Sequence, residues 1–451
     1  MKYSRKHDTM TIYFHFYDKR QRLNTVRAML EKGLQEEFIR IIREELVPAF
    51  GCTEPIALAY AAAKGRETLG LEPEKIVAKC SGNMIKNVRC VTIPGSGGLT
   101  GIDTACILGA VAGDPSAGME VLEKVDDRGR VRTRELLEQG ACSVEFLDSE
   151  IPLHFIIALS GGGHTAEVEV RHIHTNIVSI KKDGETVFEK PKELAEKGYS
   201  TDRTKLSLEN IKTFADEVDL ALVGDVYERQ IRYNMDIAYE GISGNYGLGI
   251  GRVIRESYAD GIVTRMKAYA AAASEARMGG CDMPVIINSG SGNQGIASSV
   301  PVIIYAREKN IPREKLYRSL VFSSLLTIYQ KEFIGKLSAF CGAVSASCAS
   351  AAAITYMAGG TIAQIKATID NTLANIPGII CDGAKISCAA KIASSIDAAM
   401  MAHYLAMQDK QYAAYTGILK ENAGETISCV GYIGKVGMHQ TDKEIIKMML
   451  E

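Results

Sequence analysis

The chain has 451 residues, 46% hydrophobic and 24% charged, a composition that suits a globular protein of two or three domains. Its 52 basic and 54 acidic residues leave a net charge of −2, so there is no basic excess to neutralise a nucleic-acid backbone or an anionic bilayer. Eleven cysteines, an odd number in a long chain with no recognisable secretory leader, argue against a disulfide scaffold and for a cytoplasmic protein.

Residues 1–28 mix charges with a short aromatic run, Tyr13 to Tyr17, too short and polar for a signal-peptide core. They read as an N-terminal extension, with Met29 as an alternative start. From Glu31 to Ala49 the apolar positions Leu34, Phe38, Ile41, Ile42, Leu46 and Val47 recur at helical spacing. After a break at Phe50-Gly51, Thr53 is the expected N-cap of a helix through Ala59–Gly65, with Cys52 just ahead of it.

Between about Lys75 and Pro191 the texture changes. Ile76–Cys80, Leu153–Leu159 and Ala166–His172 alternate like strands, and Ile177–Ile180 and Thr186–Phe188 flank a hairpin turn at Asp183-Gly184. A helical segment, Arg132–Gln139, lies among them. Beyond Leu206 helical periodicity returns, with candidates at Leu208–Ala215, Tyr227–Glu240, Tyr258–Ala276 and Lys315–Gln330. Leu337 to Ile365 carries no charge and is long enough to span a bilayer, but it is built of Ala, Ser, Gly and Cys, so a buried helix is expected. The last segment, Asp442–Glu451, reads as a short exposed charged helix. The expected fold is α+β: a mainly helical catalytic domain from residues 29–74 and 200–451, and a smaller β-rich α+β insert from 75–199.

Three features carry chemistry. Cys341 and Cys348, and Cys381 and Cys388, are each spaced by seven residues, two helical turns, so each pair would share a face. Thiolates from two segments would then meet at a soft metal centre, although buried cysteines also serve as small hydrophobes. Cys52, in Gly51-Cys52-Thr53-Glu54-Pro55, would feel the positive end of a helix dipole, which favours the thiolate, while Glu54 works against it or relays a proton. A plain structural turn is the competing reading. The glycine loops Ser81-Gly82-Asn83, Pro94 to Gly98 and Asn288 to Gly295 suit close backbone approach to a carboxylate or phosphate, or simply tight packing. There is no Walker pattern. His172 and His174 share a face of an expected strand without carboxylate partners, and the segment from Ser160 to His164 lacks the form of a nucleophile elbow.

Taken together, Gly51 to Pro55, Ser81-Gly82-Asn83 with Lys86-Asn87, Gly109 to Pro115, Asn288 to Gly295, Cys341-Gly342 and the segment Cys381 to Cys388 resemble the L-cysteine desulfidases, relatives of the α chain of the iron–sulfur L-serine dehydratases. The resemblance runs from Met29 onward. It implies a [4Fe–4S] cluster bound by Cys341, Cys381 and Cys388, with one iron lacking a protein thiolate, and a catalytic role for Cys52. Cys348 is not among the implied ligands. Ser81, Asn83, Lys86, Asn87, Ser289, Gly290, Asn293 and Gln294 become the expected substrate-binding residues for a small amino acid, with the glycine loops gripping its α-carboxylate. The seven-residue spacing of Cys381 and Cys388 is shorter than in the serine dehydratases. The expected activity is therefore elimination of sulfide from L-cysteine, with serine dehydration or a non-catalytic iron–sulfur sensor as alternatives, and a homodimer as the expected assembly.

Overall fold

The computed structural model describes residues 32–197, 199–335 and 337–450; the N-terminal extension and Met29 lie outside them. Helix α1 (residues 32–45) runs into β1 (Pro48–Phe50), followed by α2 (Thr53–Leu69), β2 (Lys75–Cys80), α3 (Gly82–Val88), α4 (Gly101–Ala112) and α5 (Asp127–Glu138). Five strands come next: β3 (Cys142–Phe146), β4 (His154–Gly161), β5 (His164–Arg171), β6 (Ile177–Lys182) and β7 (Glu185–Glu189). They form a six-stranded sheet with β2, in the order β3-β2-β4-β5-β6-β7, in which only the β2–β3 pair is parallel. The alternation along β4 buries Phe155, Ile157 and Leu159, and α2 packs across β4 and β5.

After α6 (Lys192–Lys197) the chain is almost wholly helical: α7 (Leu208–Glu217), α8 (Gly224–Ser243), α9 (Ile250–Ser257) and α10 (Ile262–Met278), then β8 (Pro284–Ile286), which pairs antiparallel with β1. There follow α11 (Gly292–Glu308), α12 (Arg313–Ile334), α13 (Gly342–Met357), α14 (Ile362–Asn375), α15 (Cys388–Ala406), α16 (Ala423–Tyr432) and α17 (His439–Leu450). The fold is α+β and dominated by helices. One hydrophobic core runs from α1 and the sheet through to α16. Among the described residues no helix is long and apolar enough to cross a membrane.

Small side chains set how closely the helices approach. A methyl group on Gly109 of α4 would sit 2.3 Å from the Ala59 carbonyl oxygen of α2, and one on Gly241 of α8 would sit 2.1 Å from that of Ala272 in α10. Only glycine allows either contact. Apart from Gly342, every residue of α13 is buried, so the uncharged stretch is a central helix of the bundle. It is shorter than its composition suggested, opening after Cys341 and closing at Met357.

Several local expectations change. Cys52, not Thr53, is the N-cap of α2, and it makes no side-chain capping bond. Helices α3 and α4 lie where only strands and loops were expected; α4 is a Gly- and Ala-containing segment with little amphipathic signal. Helix α10 opens at Ile262, after Gly261, instead of at Tyr258. His172 has φ 65° and lies past the end of β5, so it and His174 share no strand face. The terminal helix is not a free surface element. Ile446 of α17 packs on Gly82, where a methyl would meet it at 2.9 Å, and Asp442 is only 8% exposed.

Candidate active site

The Cys341 and Cys381 segments are stitched by an antiparallel bridge between Phe340 and Ile380, with Cys341 N donating to Ile379 O at 2.8 Å and Cys381 N to Ala339 O at 2.7 Å. This brings the two thiols into contact. Cys341 donates to Cys381, and that bond, with help from the Lys86 and Lys391 ammoniums and the Gly383 N–H, outweighs burial and lowers Cys381 to about 6. Cys341, half-buried and the donor, is pushed up. Cys388 opens α15 with its Sγ 3.8 Å from Gly383 O, and its charge and that of Cys381 influence one another. The three predicted ligands therefore share one locality. Cys348 does not join them: it is buried in mid-α13, and burial raises its thiol to about 12. Among the described residues no three His, Cys, Asp or Glu side chains close around a single metal ion.

Helix α3 forms the neighbouring wall. Gly383, at φ 99°, faces the Lys86 carbonyl oxygen, which a methyl would meet at 2.3 Å, so the loop between Cys381 and Cys388 lies directly on α3. Lys86 is 2% exposed; its Nζ donates to Asp442 Oδ1 at 2.5 Å and to Cys381 O at 3.4 Å. Asn83 Nδ2 donates to the other oxygen of Asp442 at 2.8 Å. Ser81 Oγ donates to Pro152 O at 2.7 Å, tying α3 to the loop before β4. Lys391 holds Asp382 Oδ1 at 2.6 Å and Ile380 O at 2.9 Å.

Cys52 lies against Cys388, Val91 and Met278. Its Sγ donates to Glu54 Oε2 at 3.1 Å, which also accepts from Thr53 Oγ1 at 3.0 Å; Glu54 Oε1 accepts from Asn87 Nδ2 at 3.2 Å. The thiolate expected from the helix terminus is not favoured here. Burial, then the Glu54 carboxylate, push the Cys52 thiol well up, and the Arg277 charge and the Glu54 N–H do not compensate.

The loop from Asn288 is a tight turn closed by reciprocal backbone bonds between Asn288 and Ser291, 3.1 and 3.0 Å. Ser289, at φ 50°, donates to Asn288 Oδ1 at 2.8 Å, and Gly290 faces the His174 ring. Ser291 caps α11, placing Asn293 and Gln294 in its first turn. Asn293 Oδ1 accepts from Ser274 Oγ and Arg277 Nη1, both at 3.1 Å. Gln294 lies on Gly342, where a methyl would approach its Cδ to 2.4 Å, and its Oε1 is buried without a donor. This loop thus meets the cysteine centre through Cys341's neighbour.

A cavity of about 1010 Å³ opens between the sheet region and the helical bundle. It touches the site through Ser81, Gly82, Asn83, Ala339 and Asp442, but none of the four cysteines lines it. The thiols and the convergent polar groups, not this cavity, define the candidate centre. Sequence reading missed Arg277, Asp442 and Lys391. Arg277 is one of four charges in an alanine-rich helix, and Asp442 lies 356 residues from Lys86, so neither leaves a local signal.

Residues 116–447 match the family described as serine dehydratase alpha chain. The chain is 45% identical over 428 residues to a UPF0597 protein of Treponema denticola, covering 94% of this chain and 99% of that protein. It is also 45% identical over 418 residues to a UPF0597 protein of Lachnoclostridium phytofermentans, covering 92% and 100%. A UPF0597 protein of Desulfitobacterium hafniense is 44% identical over 415 residues, covering 92% and 96%. With the family match spanning well over half its length, this chain belongs to the serine dehydratase alpha chain family.

Proposed function

We propose that this serine dehydratase-like protein is an iron–sulfur-dependent lyase that eliminates sulfide from L-cysteine, and that the aminoacrylate so formed takes up water to give pyruvate and ammonia. The observation that carries the reading is the meeting of Cys341, Cys381 and Cys388 with Cys52 packed on the last of them. The ammoniums of Lys86 and Lys391 favour the thiolate of Cys381, the form in which a cysteine ligates an inorganic centre. Cys341, Cys381 and Cys388 would hold a [4Fe–4S] cluster, which when bound supplies a Lewis-acidic iron for the departing sulfur.

The protein's own groups handle the proton. Cys52 Sγ and Glu54 Oε2 already share one. For Cys52 to accept the α-proton it first passes its own to Glu54, whose carboxylate Thr53 and Asn87 keep in place. Cys52 and Cys388 are buried, so this side of the site is shielded from water. We propose further that the protein acts in the cytoplasm as a homodimer on a free small amino acid, with no nucleic-acid or membrane partner.

L-Serine dehydration is the second reading, favoured by the family's own description. The test is pyruvate and sulfide formation from L-cysteine and L-serine by anaerobic, cluster-loaded protein. We expect a much higher kcat/KM for cysteine, because a thiolate leaves more readily and is the softer ligand. Equal or greater efficiency with serine would move the assignment to serine dehydratase. No product from either, with the cluster intact, would make the protein a sensor.

A further inference from the structure

Arg277 stands in the last turn of α10 with its side chain 2% exposed. Buried arginines are normally matched by a carboxylate, because an isolated interior charge is costly. Among the described residues Arg277 pairs with none: Glu54 is engaged with Cys52, Thr53 and Asn87, and Glu275 with the N–H groups of Leu248 and Ile250. Of the five guanidinium donors, Nη1 bonds to Asn293 Oδ1 at 3.1 Å, while Nε is buried with no acceptor.

The fold makes room for this charge. A methyl group on Gly292 would lie 2.2 Å from Nε, so only glycine at the start of α11 lets the guanidinium lie there. Asn293 is oriented by Ser274 from the same helix as Arg277. The surroundings place the group at the cysteine centre from two sides. The adjoining Met278 packs with Cys52 and Cys388, and the residue after Asn293, Gln294, lies on Gly342 beside Cys341. Both Cys52 and Cys388 feel its charge.

We propose that Arg277 is the receptor for the α-carboxylate of the amino-acid substrate, with Asn293 as the residue that positions it. This rests on the amino-acid lyase reading above. A guanidinium presents parallel N–H groups that match a carboxylate, whereas the neutral donors of the glycine loops supply no charge. The anion missing from the folded protein is then brought by the substrate. Lys86, by contrast, has its carboxylate already in Asp442.

The test is calorimetric binding to cluster-loaded protein under anaerobic conditions. L-Alanine carries the ammonium and carboxylate but no leaving group; ethylamine lacks the carboxylate. Arg277→Met should weaken L-alanine about 10- to 100-fold, the loss expected for a hydrogen-bonded charge, and leave ethylamine unchanged. Arg277→Lys should fall between. In turnover, KM for L-cysteine should rise in step while cluster absorption stays constant. Unchanged L-alanine affinity in Arg277→Met, or equal losses for both ligands, would overturn the proposal. If Arg277→Met does not fold, unchanged affinity in Arg277→Lys does the same. If neither sulfide nor pyruvate appears yet Arg277 still governs L-alanine binding, the lyase reading fails and the carboxylate receptor stands. If turnover proceeds with KM unchanged in Arg277→Met, the receptor fails and the lyase stands.

Discussion

The molecule holds two groups of three neighbouring cysteines, and they differ in what surrounds them. Cys80 on β2, Cys106 on α4 and Cys142 on β3 sit at the sheet, where Cys106 bonds to Cys142 and feels Cys80. Cys341, Cys381 and Cys388 sit among the helices with a similar thiol–thiol bond. At the sheet Cys106 also feels the carboxylate of Asp103, and burial raises Cys80 to about 12. In the helical group Lys86, Lys391 and Arg277 lie close by, and Cys381 is lowered to about 6 while Cys341 and Cys388 are raised. Counting cysteines does not distinguish the two groups; the cations around them do.

The strongest way to break this contrast is to remove thiols from each group. Cys381→Ala or Cys388→Ala should abolish the visible charge-transfer absorption of anaerobically purified protein, whereas Cys106→Ala and Cys348→Ala should keep it. Full cluster content in the first two variants would end the ligand assignment. Cys52→Ser comes next: it should keep the spectrum and lose turnover by about 100-fold or more, the scale of a lost acid–base group. Unchanged turnover would return Cys52 to the role of a structural turn.

The smallest effect tests the sheet group alone. Cys80 ionises at about 12 folded, against 9.0 ordinarily, so between these values the unfolded chain loses a proton that the folded one keeps. Its contribution is complete below pH 9 and falls as pH rises, by up to about 1.4 kcal/mol per pH unit. Denaturant unfolding at pH 8.5 and 10.5 should show a shallower alkaline loss in Cys80→Ala than in the parent. Equal slopes would mean that Cys80 is not held neutral by burial.

Much of the architecture was legible because its elements carry local patterns. The alternation of β4 and β5 and the Asp183-Gly184 hairpin need only a two-residue period and a turn. Helix α4 was illegible because Gly109 and its neighbours are buried on most sides, erasing the polar face that marks a helix. In the site, Cys52 and the Cys381–Cys388 segment stood out as motifs, but the state of their thiols did not. That depends on Glu54, Lys86, Lys391 and Arg277, and on which of them burial brings close. Motif spacing records where backbone must bend; it says little about charges that arrive from remote helices.

The contact of Lys86 with Cys381 and Asp442 has a consequence for biosynthesis. It joins positions 295 and 356 residues apart, the latter in the terminal helix. A chain emerging from the ribosome can close the sheet region early, but the wall between α3 and the cysteine segment must wait for the Cys381 segment and α17. Such remote closures are slow to find because the loop entropy is lost before the contact forms. The cluster proposed for these cysteines would therefore find its full surroundings only after α17 has been made, and a chain lacking α17 would offer the thiols without that wall.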